Sequence, residues 1–196
     1  MSVFLMMLSG NVVATVIDTR VNPVNGHTYH LLDQANWTDS QAEAVFLGGS
    51  LATVNSFNEN SWIYNTFTNF AQIDRHLWIG LYDTNPAINS TDRATRRTEF
   101  EWVNGESVGF TRWSPFEPNN PASGDPQNPE LYVHIWAPSD PFSSTWNNYR
   151  NNNSLFGAPL HGVVEISNVP EPSTLALMGL GLASIGFRRH RSKAAA

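Results

Sequence analysis

Cysteine is absent from this 196-residue chain. Disulfides, thiolate nucleophiles, iron–sulfur clusters and thiolate zinc sites are excluded with it. Positive charge is scarce too: 11 Lys and Arg stand against 17 Asp and Glu, a net charge of −6. That balance argues against a phosphate-binding surface and so against a nucleic-acid partner. Four of the basic residues, Arg188, Arg189, Arg191 and Lys193, crowd near the C-terminus, and without them the remainder has a net charge of −10. An acidic body with a basic tip fits a membrane-proximal tail. Catalytic signatures are missing as well. No Ser/His/Asp motif, phosphate-binding loop or dinucleotide fingerprint occurs, and nothing places two acids for acid–base work. The chain reads as a binding protein, not an enzyme.

What is present is a foldable composition. Hydrophobic residues make up 41%, charged residues only 14%, and there are seven Trp. The length suits one domain with a real core plus tails. Residues 1–23 read as a remnant signal peptide or as an N-terminal strand, for which residues 12–17 are apolar enough. Val3 to Leu8 is apolar, but no Lys or Arg precedes it, as a signal peptide would require. His27 to Leu32 alternates as a strand does. Thr38 and Gln41 are spaced as a capping box, with Trp37 and Ala42 as a hydrophobic staple. The helix they open has Ala42, Val45 and Phe46 as its apolar face and ends at Gly48-Gly49. Leu51 to Val54 is extended. Ser56 and Glu59 form a second capping box, and Ile63, Phe67 and Phe70 one buried stripe.

Leu77 to Leu81 is a buried strand, and the polar stretch 83–98 reads as a surface loop. Phe100 and Trp102 alternate with Glu99 and Glu101 before a turn at Asn104-Gly105. Leu131 to Trp136 and Val163 to Ile166 complete the strands. Tyr132, His134 and Trp136 share one face of theirs, a structural face by residue type; Trp78, Trp102 and Trp146 are core. Two helices followed by short strands and a long irregular loop make an α+β domain. The loop, Ser114 to Pro129, is rich in Pro, Asn and Gly. Structureless loops of that length in compact domains usually carry function or move. Within it stands Glu117-Pro118-Asn119. A cis Glu-Pro bond costs little and would bring a carboxylate and a carboxamide to one side. Both supply the hard oxygens that calcium prefers.

The order of these features resembles the C-type lectin-like domain. The matching residues are Tyr29, Trp37 with Ala42 and Glu43, Gly48 to Ala52, Glu59-Asn60, and Trp78-Ile79-Gly80-Leu81. Phe100-Glu101-Trp102, Trp113, Glu117-Pro118-Asn119, Trp146-Asn147 and Val163-Val164-Glu165 continue the series. It covers residues 24–167. The resemblance implies a C-type lectin-like fold with two helices, short antiparallel sheets and a long ligand loop. It also implies one Ca²⁺ held by Glu117, Asn119, Glu130, Asn147 and Asn148. Vicinal sugar hydroxyls would complete the shell through Glu117, Asn119, Glu130 and Asn147, and the Glu-Pro-Asn order goes with mannose-type sugars. Asp125 competes with Glu130 for the middle position. Asn148 departs from the family, which usually has Asp there. Fewer ligand charges weaken calcium binding, towards the ~10⁻⁴–10⁻³ M range. A matrix or adhesion protein that binds protein or polysaccharide without calcium is the alternative.

The C-terminal 29 residues (168–196) read separately. Pro170-Glu171-Pro172 precedes an uncharged run over 175–187 and the cluster Arg188-Arg189-His190-Arg191. As a helix that run spans only ~20 Å, short of the ~20 residues of a full crossing. The three parts in this order resemble the PEP-CTERM sorting signal. The resemblance implies an exported bacterial protein, handled by a membrane exosortase after transient anchoring through a short transmembrane helix. Its destination would be the cell envelope or extracellular matrix.

Overall fold

The computed structural model describes residues 14–85, 92–119 and 129–167. The chain divides after Ile166 into two units. Pro170, Glu171, Pro172 and the apolar run 175–187 lie outside the described residues, as do Val3 to Leu8. Among the described residues no helix is long and apolar enough to cross a membrane.

The first strand, β1 (Val16–Val21), starts later than the apolar stretch 12–17 suggested. It pairs antiparallel with β2 (Thr28–Gln34), so the sheet begins before residue 24. Helix α1 (Trp37–Phe46) follows. Its cap is Asn36, not Thr38: Asn36 Oδ1 accepts from the Asp39 backbone N–H at 2.9 Å and from the Thr38 hydroxyl at 3.0 Å. Gln41 does not reach back to the cap; its Oε1 accepts from the Leu51 N–H. The C-terminus closes as expected, with Gly48 at φ +86°. Gly49 N–H bonds to Ala44 O and Gly48 N–H to Val45 O, the paired bonds of a Schellman motif.

The apolar face of α1 also differs from expectation. Val45 and Phe46 are exposed, while Trp37, Ser40, Glu43 and Ala44 face inward. The reason is distance. The helix crosses the last strand, β9 (Ala158–Ile166), at Gly162, where an added Cβ would lie 2.7 Å from Ser40 Cβ. Only small side chains fit there, so the bulkier apolar ones are turned out.

Next come β3 (Ser50–Leu51) and α2 (Phe57–Phe67). Ser56 caps α2 by accepting from Glu59 N–H, but Glu59 Oε2 returns to Asn55, one residue before the cap. Ile63 and Phe67 point into the core; Phe70 packs on it from a 3₁₀ turn beyond the helix. Strand β4 (His76–Asp83) is buried on both faces, which is why it reads as an almost unbroken apolar run. A third helix, α3 (Arg93–Arg97), occupies the stretch read as loop, capped by Asp92. Its Arg96 is buried, and Arg96 Nη2 meets Asp83 Oδ2 at 2.6 Å.

The remaining strands are β5 (Phe100–Trp102), β6 (Tyr132–Ile135), β7 (Trp146–Tyr149) and β8 (Ser154–Leu155). The main path runs β1-β2-β9-β4-β6-β7, with β3 and β8 paired to β9 and β5 to β4. Pairings are antiparallel except β4 with β9, which is parallel. One face holds the core of Tyr29, Leu31, Ile79, Leu81, Trp102, Val133 and Trp146. The other gathers Trp37, Trp78, Trp136 and Leu160. Asn60 of α2 ties the two halves: its Oδ1 accepts from Trp146 Nε1 at 2.7 Å and its amide donates to Ser144 O.

Gly80 sits in the middle of β4 because nothing larger fits. A Cβ there would stand 2.5 Å from Leu51 O and 2.8 Å from Val103 Cγ2. Gly80→Ala should therefore cost about 1–3 kcal/mol in thermal or urea denaturation. Gly109→Ala, with open space around the added atom, should leave stability nearly unchanged.

Candidate functional site

The loop that carries Glu117 is sewn onto the start of β7. Trp146 N–H donates to Arg112 O, and Ser114 N–H donates to Trp146 O. Ser114 O then accepts from Glu117 N–H. The Glu117-Pro118 bond is cis. Helix α3 supplies two further ties that sequence reasoning missed. Arg93 Nε donates to Phe116 O at 2.9 Å, and Arg97 Nη2 to Glu117 O at 2.8 Å. Both backbone carbonyls before the proline are thus held by guanidinium groups. The signal was present in the sequence, as Asp92 ahead of Arg-Ala-Thr-Arg-Arg, an N-cap before a short run of helix formers.

The two side chains of the motif meet. Asn119 Nδ2 donates to Glu117 Oε1 at 2.9 Å. That contact uses the amide N–H and leaves two oxygens, Glu117 Oε2 and Asn119 Oδ1, buried with no hydrogen-bond partner among the described residues. Glu117 is only 6% exposed. Burial, then the charge of Glu130, pushes its carboxyl up to about 7; Asn119 and Arg93 pull the other way. Glu130 is also buried and its carboxyl raised, mainly by desolvation, with Arg150 opposing. Arg150 Nη2 stands 4.0 Å from Glu130 Oε1.

Asn148 is fully buried between these groups. Its Oδ1 accepts from Asn119 N–H at 3.1 Å, and its Nδ2 donates to Glu130 O at 2.8 Å. The orientation of the amide is forced, because a main-chain N–H can only donate and a carbonyl can only accept. One side chain therefore clamps the last residue before the stretch 120–128 to a residue just after it. A carboxylate could not make the second bond. Asn at this position therefore joins the two ends of the loop.

Asn147 is the exception in the set. In the β6–β7 register it lies opposite His134, while Asn148 lies opposite Val133 on the other face. Its amide meets His134 Nε2 at 3.0 Å. His134 is fully buried, and burial with the neighbouring His76 holds its pKa well below the ordinary imidazole value. Glu117, Asn119, Glu130 and Asn148 are therefore joined by hydrogen bonds or charge, and Asn147 is tied instead to His134. Asp125 lies outside the described residues. The expectation that Tyr132, His134 and Trp136 form a structural face agrees with the burial of His134 and Trp136.

Would a cation fit? Glu117 Oε2 and Asn119 Oδ1, both unpartnered, with the buried Glu130 carboxyl, make an oxygen-only donor set of the kind hard cations take. Among the described residues no three His, Cys, Asp or Glu side chains come together as a metal cluster. The donors would be mixed carboxylate and amide, and the charge low.

A family model for the lectin C-type domain matches residues 33–154. The chain belongs to the C-type lectin domain family. A second model, the PEP-CTERM protein-sorting motif, matches residues 168–191. Among curated relatives, C-type mannose receptor 2 of Rattus norvegicus is 33% identical over 139 residues, 70% of this chain but 8% of the relative. Lectin BRA-3 of Megabalanus rosa is 35% identical over 99 residues, 49% of this chain and 52% of that lectin. This lectin chain thus corresponds to a small part of the mannose receptors and about half of the smaller relative. Solved folds agree. The C-type lectin CEL-I from Cucumaria echinata superposes with a TM-score of 0.54 at 22% identity, covering 76% of this chain and 94% of that one. The human scavenger receptor C-type lectin carbohydrate-recognition domain gives 0.55 at 17%, covering 76% and 96%. The α+β lectin fold read from the sequence stands, with a third helix added and one parallel strand pair.

Asn148→Asp tests the clamp. Replacing the donor puts a carboxylate oxygen against Glu130 O, beside two other carboxyl groups. Without calcium the variant should lose roughly 1–3 kcal/mol, the cost of leaving buried polar groups unpaired. Its melting temperature should rise more on adding Ca²⁺ than that of the parent. An unchanged melting temperature would mean the clamp carries no energy.

Proposed function

We propose that this lectin domain is an exported carbohydrate-binding module that takes mannose-type sugars through one weakly held Ca²⁺. The observation that carries this reading is the pair of buried, unpartnered oxygens, Glu117 Oε2 and Asn119 Oδ1, on the two sides of a cis-proline. Buried acceptors without donors are costly, and a hard cation is the partner that relieves them. Glu117, Asn119, Glu130 and Asn148 would supply the oxygens; Asn147, expected among them from the sequence, is turned to His134 instead. When bound, such an ion offers open positions to vicinal hydroxyls; Glu117 and Glu130 would accept from those hydroxyls by charge-assisted hydrogen bonds. Several relatives carry mannose in their names, including the rat receptor and a C-type lectin mannose-binding isoform of Notechis scutatus scutatus. The Glu-Pro-Asn order supports the same sugar class.

The PEP-CTERM motif supports export, exosortase handling through Pro170, Glu171 and Pro172, and a destination in the cell envelope or extracellular matrix. The apolar run 175–187 would serve as the transient anchor, with 168–196 as an address and 24–167 as the recognition domain. A second reading has one observation in its favour. Because Asn148 holds the loop ends without an ion, the same surface could grip a polysaccharide as a matrix adhesin in the absence of calcium.

Calorimetric titration with Ca²⁺ and then mannose, at pH 6 and pH 8, separates the two. The metal needs the Glu117 carboxylate, and Glu117 ionises about 7. Affinity for Ca²⁺ should therefore be weaker at pH 6 and tighten at pH 8, with proton release on binding, and Glu117→Gln should abolish sugar binding. Sugar binding that survives chelator and the Glu117 variant would select the calcium-free reading.

A further inference from the structure

The hairpin between β8 and β9 contains a residue that the fold does not want. Leu155 pairs with Ala158, so Phe156 and Gly157 alone form the turn. Both have positive φ, +50° and +86°. Two-residue turns with both φ values positive favour Asn-Gly or Asp-Gly, because short polar residues and glycine tolerate this region. A bulky aromatic there is an outlier. Phe156 gains no burial in exchange: it is 89% exposed, the most exposed of the large hydrophobic residues among those described. Strain with no packing return points to a use outside the fold.

The surroundings indicate which use. The Phe156 ring lies parallel to Trp136 within 2°, centroids 6.5 Å apart. Trp136 approaches Phe142 at 6.5 Å, and Phe142 approaches Phe116 at 6.3 Å. Phe116 is 59% exposed and directly precedes Glu117. The rings therefore form one continuous strip. Phe156 and Phe116 stand in solvent at its ends, Phe142 is half-buried, Trp136 is buried beneath them, and Phe116 belongs to the loop that carries Glu117. Arg93 lies over the Phe116 ring as well as holding its carbonyl, so that end is braced.

We propose that Phe156, Phe142 and Phe116, backed by the buried Trp136, form an extended subsite that contacts successive rings of a linear polysaccharide whose terminal or internal sugar occupies the Glu117 site. This rests on the carbohydrate-binding reading above and deepens it from single sugars to chains. Pyranose rings present a face of C–H bonds, slightly positive, which suits the negative face of an aromatic ring. The occupant is a glycan because the strip is continuous with the sugar loop.

The test uses the whole chain, saturating Ca²⁺, and two probes: mannose and a linear mannose hexasaccharide. The parent should bind the hexasaccharide more tightly than mannose. Phe156→Asn should raise the melting temperature by about 2–4 °C, since Asn suits the turn. It should leave mannose affinity unchanged and reduce hexasaccharide affinity roughly tenfold, a shift of the size one aromatic contact provides. Phe142→Ala should reduce the hexasaccharide advantage in the same selective way. Equal affinity of the parent for both probes would overturn the proposal. So would a lowered melting temperature in Phe156→Asn, which would make Phe156 a structural residue. A dimer that dissociates on the same substitution, seen by sedimentation, would also overturn it, since the ring would then serve self-contact. Failure of the parent to bind either probe would instead sink the sugar-site reading, and this one with it.

Discussion

A single buried carboxamide holds the site together. Asn148 spans from the Asn119 N–H to the Glu130 carbonyl, and so joins the two ends of a loop that supplies both carboxylates. Everything around it serves to fix that amide. Trp146, two residues earlier on β7, is locked by Asn60 of α2 and by the main chain at Arg112 and Ser114. The guanidinium groups of α3 hold the carbonyls of Phe116 and Glu117 from the opposite side. Side chains at element ends can be positioned this closely only when their own partners are fixed.

Electrostatics gives the arrangement its purpose and its limit. Glu117 and Glu130 are both buried, and each is made harder to ionise by desolvation. Glu130 further raises Glu117. With no cation the loop is easiest to keep when Glu117 holds its proton. Lowering the pH therefore favours the metal-free fold, and stability declines as pH rises from the ordinary carboxylate value through about 7. A cation reverses that preference. An Asp in place of Asn148 would strengthen the pull on a cation and leave the metal-free loop without its clamp. This chain has the opposite balance: loop ends already joined, and a donor set of lower charge.

Much of the domain was legible in the residues. The strands around Tyr29, Trp78 and Val163 follow from alternation and apolar runs, and the cap at Ser56 and the stop at Gly48 from local chemistry. The misreadings share a cause: contacts distant in sequence decided the outcome. Val45 and Phe46 look like a core face, but at Gly162 the helix comes so close to β9 that Ser40 faces inward there. The stretch 83–98 looks like solvent-exposed loop, yet Arg96 finds Asp83 inside the protein. The cap is the local exception: the helix begins at Trp37, so Asn36 holds the cap position and Thr38 lies within the first turn. In the site, Glu117 and Asn119 could be paired from their spacing alone. The double role of Asn148 could not, because it depends on which way an amide turns once Asn119 and Glu130 arrive beside it.

The proposed cation site comes down to Glu117 Oε2 and Asn119 Oδ1, in a loop whose ends Asn148 joins. An anomalous-difference map from crystals grown with calcium, beside a map from crystals grown with chelator, tests it most directly. The expected result is a peak within bonding distance of both oxygens, with the Asn148 bonds to Asn119 and Glu130 kept in the crystals grown with chelator. No peak at saturating calcium, or a loop that loses the Asn119–Asn148–Glu130 bonds without the ion, would contradict it.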